Sequence, residues 1–190
     1  MIGIRDGSLR CLAALLLLVA GLCQAGSQEV ARHSDSATGA RAGEIKAAFI
    51  YNFARFVEWP SATFATSTTP LQLCAFSGST GGTPLSLIDG RLAQGRVIKL
   101  ITITSSSQAE SCQILYLTDA HRALWDSALP KLSLRPVLTI SESTDFIDDG
   151  GIVSLFIEKD HVRFRVNLTA AQQNGLKFSA RILQLAQDVR

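Results

Sequence analysis

The sequence predicts an α/β fold: a single domain with a mostly parallel central sheet flanked by helices, ending in a C-terminal antiparallel hairpin. Three observations predict it. Short apolar runs at 71–76, 97–103, 113–117 and 136–140 read as strands buried on both faces. Helical stretches fall between them, the order a parallel sheet with covering helices requires. Near the C terminus the pattern changes to two runs, 152–157 and 162–166, separated by Glu158-Lys159-Asp160-His161, which is hairpin spacing.

Taken in order, the chain first predicts export. Arg5 and Arg10 precede an apolar run at 11–23, and Cys23 and Ala25 stand at the −3 and −1 positions of a cleavage site. That is the composition of a secretory signal peptide over residues 1–25. The run is shorter than the roughly 20 residues a membrane-spanning helix needs. Residues 26–43 are small and polar with no apolar period and predict a disordered leader. The folded domain is expected over 44–190.

The domain opens with a helix predicted over 44–59, stopped by Pro60 because the residue before proline disfavours helical backbone. At 100° per residue, Phe49, Ile50, Phe53, Phe56 and Val57 share one face, an ordinary core stripe. Tyr51, Arg55 and Trp59 are spaced i, i+4, i+8 on the other side. Arginine between aromatics gains cation–π attraction, and Trp, Tyr and Arg are the residues enriched at binding hot spots. This stripe is either a second buried face or a partner surface; as a partner surface it predicts that Trp59→Ala lowers affinity more than melting temperature.

Strand 71–76 is followed by the loop 77–83 and a helix predicted over 84–91. Ser77, Gly78 and Ser79 lie just past the strand, where a ligand site would form in an α/β sheet, and are the candidate ligand-binding residues. Gly95 predicts a turn before strand 97–103. A helix is expected over 121–129, ended by Pro130, and a short helical turn over 146–149. In the second hairpin strand Val162, Phe164 and Val166 alternate with Arg163, Arg165 and Asn167, giving one buried and one wet face. His161, Arg163 and Arg165 form a basic stripe on that wet face, either solvated or meeting an acidic partner. Thr169 to Gln172 has capping-box spacing, Asn174-Gly175 ends that helix, and Ser179 caps the last one.

Several function classes are excluded. A formal net charge of +2 is too small for a nucleic-acid footprint. No Gly-x-Gly-x-x-Gly, Walker loop or Gly-x-Ser-x-Gly occurs. His33, His121 and His161 are scattered, with no carboxylate or thiol at metal-ligand spacing. Asp148-Asp149-Gly150-Gly151 lacks EF-hand spacing and reads as a turn. No catalytic residue, metal or cofactor is expected. Cleavage after Ala25 would leave two cysteines, Cys74 and Cys112. In an exported chain these either pair or stand as separate buried thiols; pairing would close a loop worth about 4 kcal/mol of chain entropy.

The segments KAAFIYNFARFVEWP, LQLCAF, RPVLTISES, DDGGIVSLFIEKDHVRFRVNL and NGLKFSARILQLA, in this order and over about three quarters of the chain, resemble the YfiR family of periplasmic proteins. The resemblance implies a periplasmic α/β repressor that binds the periplasmic region of a membrane diguanylate cyclase and lowers cyclic di-GMP, with biofilm and exopolysaccharide falling in turn. It further implies self-association as a homodimer, an outer-membrane lipoprotein that can sequester the repressor, and pairing of Cys74 with Cys112. The second disulfide of some members has no counterpart here, since Asp148, Asp149 and Leu155 occupy that region. The alternative carried forward is a periplasmic small-molecule sensor.

Overall fold

Strand β2 (Leu71–Phe76) shows why the molecule is layered. Leu71, Leu73 and Ala75 join one core cluster, and Cys74 and Phe76 join another on the opposite face. Alternate side chains of a strand point to opposite faces, so a strand apolar at nearly every position must be covered twice. The computed structural model describes residues 39–78 and 82–190. The expected signal peptide, residues 26–38 of the expected leader and candidate Ser79 lie outside the described residues; residues 39–43, expected as the end of the leader, are already helical.

Helix α1 (39–56) covers the first face. Its Ile50, Phe53 and Ala54 are fully buried. Phe53 meets Phe164 edge-on with centroids 5.1 Å apart, and Phe49 lies 5.4 Å from the same ring. The predicted core stripe is therefore the packing face, with Phe56 only half-buried at its edge. The helix stops at 56 rather than 59, because Val57 and Glu58 form a short strand β1 paired antiparallel with β9 (Lys177–Phe178). Side-chain Nε2 of Gln94 donates to the carbonyls of Ala54 (2.8 Å) and Val57 (2.6 Å), and the Ser179 N–H donates to Phe56 O (3.0 Å). Long-range donors thus satisfy the helix end, which Pro60 was expected to define alone.

The main sheet also contains β3 (Leu92–Ala93), β4 (Arg96–Ile103), β5 (Ile114–Leu117), β6 (Leu138–Ser141), β7 (Val153–Glu158), β8 (His161–Val166) and β10 (Asp188–Val189). Its order is β10-β8-β7-β6-β5-β2-β4-β3. The five strands β4-β2-β5-β6-β7 are mutually parallel, and β7–β8 is the predicted antiparallel hairpin. The hairpin turn is two residues, Lys159 and Asp160, both at positive φ, so the strands extend further toward each other than the four-residue spacing suggested.

Helix α2 (Arg122–Leu132) covers the second face through Trp125, Ala128 and Leu132. Pro130 lies inside its last turn rather than ending it; the Ser133 N–H closes onto Leu129 O. Trp125 meets Phe146 edge-on at 5.1 Å, and a Cβ on Gly151 would collide with the Phe146 ring. In this layer Cys74 and Cys112 form a disulfide.

Helices were expected at 84–91 and 146–149. The first is a single 3₁₀ turn, Leu85–Leu87, followed by turns, and the second is a series of turns. In the first, Gly90 adopts φ +73 and its N–H donates to Ile98 O at 2.9 Å, which takes the chain out of helix. Helix α3 (Leu168–Gln173) begins one residue before the predicted capping box: Asn167 is the N-cap and accepts from the Ala170 N–H at 2.9 Å. Gly175, at φ +74, supplies the expected left-handed exit. Ser179 precedes α4 (Ala180–Leu183) at the N-cap position, without a side-chain capping bond.

Candidate functional site

Three groups of residues carry the chemistry, and the fold keeps them apart. The first is the outward side of α1. Arg91, in the turn before β3, stacks 3.8 Å above the Tyr51 ring. Arg55 lies 5.6 Å from Tyr51 and 5.2 Å from the Phe56 ring, and Arg181 of α4 lies 5.5 Å from Phe56. The result is a ladder, Arg91–Tyr51–Arg55–Phe56–Arg181, that alternates cation and ring across three elements. The Tyr51 hydroxyl donates to Leu92 O at 2.9 Å, which fixes the ring between its two arginines. Among the described residues none of the three arginines makes an ion pair, and all three are exposed. Stacking holds the guanidinium planes while leaving their N–H edges free for an anionic group.

Trp59 does not continue this stripe. Because α1 ends at 56, its i+8 spacing no longer applies, and the indole N–H donates to Gln113 O at 3.2 Å. The ring is half-buried against the α1-side core. Sequence reasoning missed Arg91 and Arg181, since neither is near Tyr51 or Arg55 in the chain.

The second group is the basic strand. His161, Arg163 and Arg165 share one face of β8, opposite Glu158, Phe156 and Ser154 of β7. Phe164 faces α1, so these three side chains project from the other side of the sheet, away from Tyr51 and Arg55. Arg165 donates to Thr144 O and lies over Phe156, while His161 and Arg163 are exposed.

The third group stands at the carboxyl ends of the strands. Strand β2 has β4 on one side and β5 on the other, so the order in which strands are added reverses between β2 and β5, the switch point where α/β folds place ligands. Ser77 and Gly78 are exposed there. Beside them lies a cluster the sequence reading missed. Glu142, one residue past β6, accepts from Lys46 Nζ through Oε2 at 2.6 Å, and through Oε1 from Thr83 Oγ1 at 2.8 Å and from the Tyr116 hydroxyl. Burial, reinforced by the neighbouring Glu142 charge, pushes the Tyr116 phenol well above its ordinary value, so it remains a donor. A sequence signal existed: Lys46 is seven residues before Phe53, about 20° from the centre of the core stripe, and a lysine there must find a buried partner.

A separate groove of about 520 Å³ lies between α2 and α3, lined among others by Asp126, Leu129, Thr139, Ile152, Asn167 and Asn174. It has the size of a small-molecule site. None of the sequence-predicted site residues lines it.

Residues 43–187 match the DUF4154 family, described as YfiR/HmsC-like. The chain belongs to that family. No curated protein matches the chain. Among solved structures, it is similar to a conserved domain protein from Vibrio cholerae O1 biovar eltor str. N16961, at 14% identity and TM-score 0.45, covering 63% of this chain and 55% of that one. It is similarly related to the ABC domain in complex with L-Trp from Streptococcus pneumonia, at 11% identity and TM-score 0.45, with the same coverage. The chain thus spans about half the length of the solved structures it matches. No helix among the described residues is long and apolar enough to cross a membrane.

Proposed function

We propose that the chain is a periplasmic negative regulator that binds the periplasmic region of an inner-membrane diguanylate cyclase and lowers cyclic di-GMP, and with it biofilm and exopolysaccharide. The observation that carries this reading is the ladder of Arg91, Tyr51, Arg55, Phe56 and Arg181. Three guanidiniums without ion pairs among the described residues, held in place by aromatic rings, form a pre-ordered surface, which reduces the entropy lost on association. Occupancy of the cyclase then sets signalling as a population shift between bound and free enzyme. Homodimerisation and sequestration by an outer-membrane lipoprotein belong to the same reading, as competing uses of the chain's surfaces. Export by a cleaved signal peptide over residues 1–25 would place it with these partners.

Binding of the purified mature chain to the isolated periplasmic region of the cyclase tests the proposal. Saturable binding that Arg55→Glu weakens, with cyclic di-GMP rising in cells carrying that variant, is expected. Absence of binding by the unmodified chain overturns it.

A second reading, a periplasmic small-molecule sensor, is favoured by the switch point between β2 and β5 and the polar cluster beside it. It predicts a melting shift with a periplasmic metabolite.

A further inference from the structure

A half-buried carboxylate that receives donors from three separate elements is unusual enough to need a reason. Lys46 comes from α1, Thr83 from the loop after β2, and Tyr116 from β5. These donors are nearly sealed: Tyr116 is 0% exposed and Thr83 1%. Glu142 is the outermost member, its side chain 17% exposed, and it hangs from the connection leaving β6 rather than from a strand or helix. The donors therefore form the floor and the carboxylate is the group that enters it. One ammonium and two hydroxyls converging on a single carboxylate is the donor set of a carboxylate-binding site, and it stands where parallel sheets bind ligands.

We propose that Lys46, Thr83 and Tyr116 constitute a binding site for a small carboxylate, occupied in this conformation by the chain's own Glu142. The internal carboxylate is tethered at high effective concentration, so an external one enters only when Glu142 withdraws. Entry would then be coupled to the connection after β6, to the loop carrying Thr83 and to the start of α1. The inference deepens the sensor reading, on which it rests, by naming the ligand class.

Glu142→Ala tests it by emptying the site while leaving the donors. The probe is formate, with chloride at equal ionic strength as the control. The variant is expected to melt lower than the unmodified chain. About 100 mM formate should restore roughly half or more of that loss, saturably, while chloride does not. The unmodified chain should not respond, and adding Lys46→Met to Glu142→Ala should abolish the rescue. A folded Glu142→Ala chain indifferent to formate overturns the proposal. If that variant does not fold alone, the readout becomes refolding yield in formate against chloride: selective recovery supports the site, and equal failure in both overturns it. An unmodified chain stabilised by some other metabolite, beside a formate-indifferent variant, would remove this site and leave the sensor reading standing.

Discussion

Lys46 Nζ lies 2.6 Å from Glu142 Oε2, and the two residues are 96 positions apart in the chain. This ion pair joins the first turns of α1 to the far end of β6. Both side chains are largely removed from water, so neither charge tolerates losing the other. Removing one partner of a buried pair costs about 3–5 kcal/mol when burial is complete, and partial exposure of Glu142 lowers that. Lys46→Met is expected to destabilise the chain by about 1–3 kcal/mol, read as a lower urea midpoint. Lys46→Arg, which keeps the charge, should lose less than Lys46→Met.

Tyr116 gives the fold an alkaline limit. Its folded pKa is raised, by burial first and the Glu142 charge second. The folded state therefore holds the proton where the unfolded state, with a value near 10, releases it. This contribution is complete below about pH 10 and is lost as pH rises above it. Urea midpoints should fall as pH rises above about 10, and Tyr116→Phe should flatten that fall. Identical slopes in both chains would contradict this account.

The disulfide closes a 38-residue separation within the α2-side core. Cys74→Ser with Cys112→Ser should cost about 4 kcal/mol by loop entropy, with about 2–5 kcal/mol the usual range. Thermal melts of the oxidised and doubly substituted chains measure it. Cyclase binding below the new melting point should be retained, since neither sulfur touches the ladder.

Arg55→Glu and Trp59→Ala separate surface from core. Arg55 is exposed and central to the ladder, so Arg55→Glu should weaken cyclase binding at least about tenfold, with a melting change within roughly that of a surface substitution. Trp59 is half-buried and bonded to Gln113 O, so Trp59→Ala should destabilise by about 1–3 kcal/mol and act on binding indirectly. This reverses the order expected from helical spacing alone. Isothermal binding and melting curves on both variants decide it.

Gly151 has no room for a side chain because the Phe146 ring lies against its Cα. Gly151→Ala should cost about 1–3 kcal/mol by overpacking, a loss visible in a urea titration. A neutral result would mean that Phe146 can leave Trp125 without penalty.

Local pattern alone determined a good part of this protein. Composition at 71–76 marked β2 to the residue, because a run apolar at nearly every position has few places to go but a doubly covered strand. Alternation in 162–166 showed which side of β8 is wet, and the periodicity of α1 picked its core face. The family was legible in five segments. Tertiary structure decided the rest, because the deciding partners are remote in sequence. Val57 and Glu58 leave α1 to pair with β9, so Trp59 turns from the Tyr51 stripe toward Gln113. Arg91 and Arg181 complete a ladder that starts at Tyr51, and Glu142 meets Lys46 across 96 positions of the chain. A helix wheel can show that Lys46 needs a buried partner; only the packed sheet can say which one.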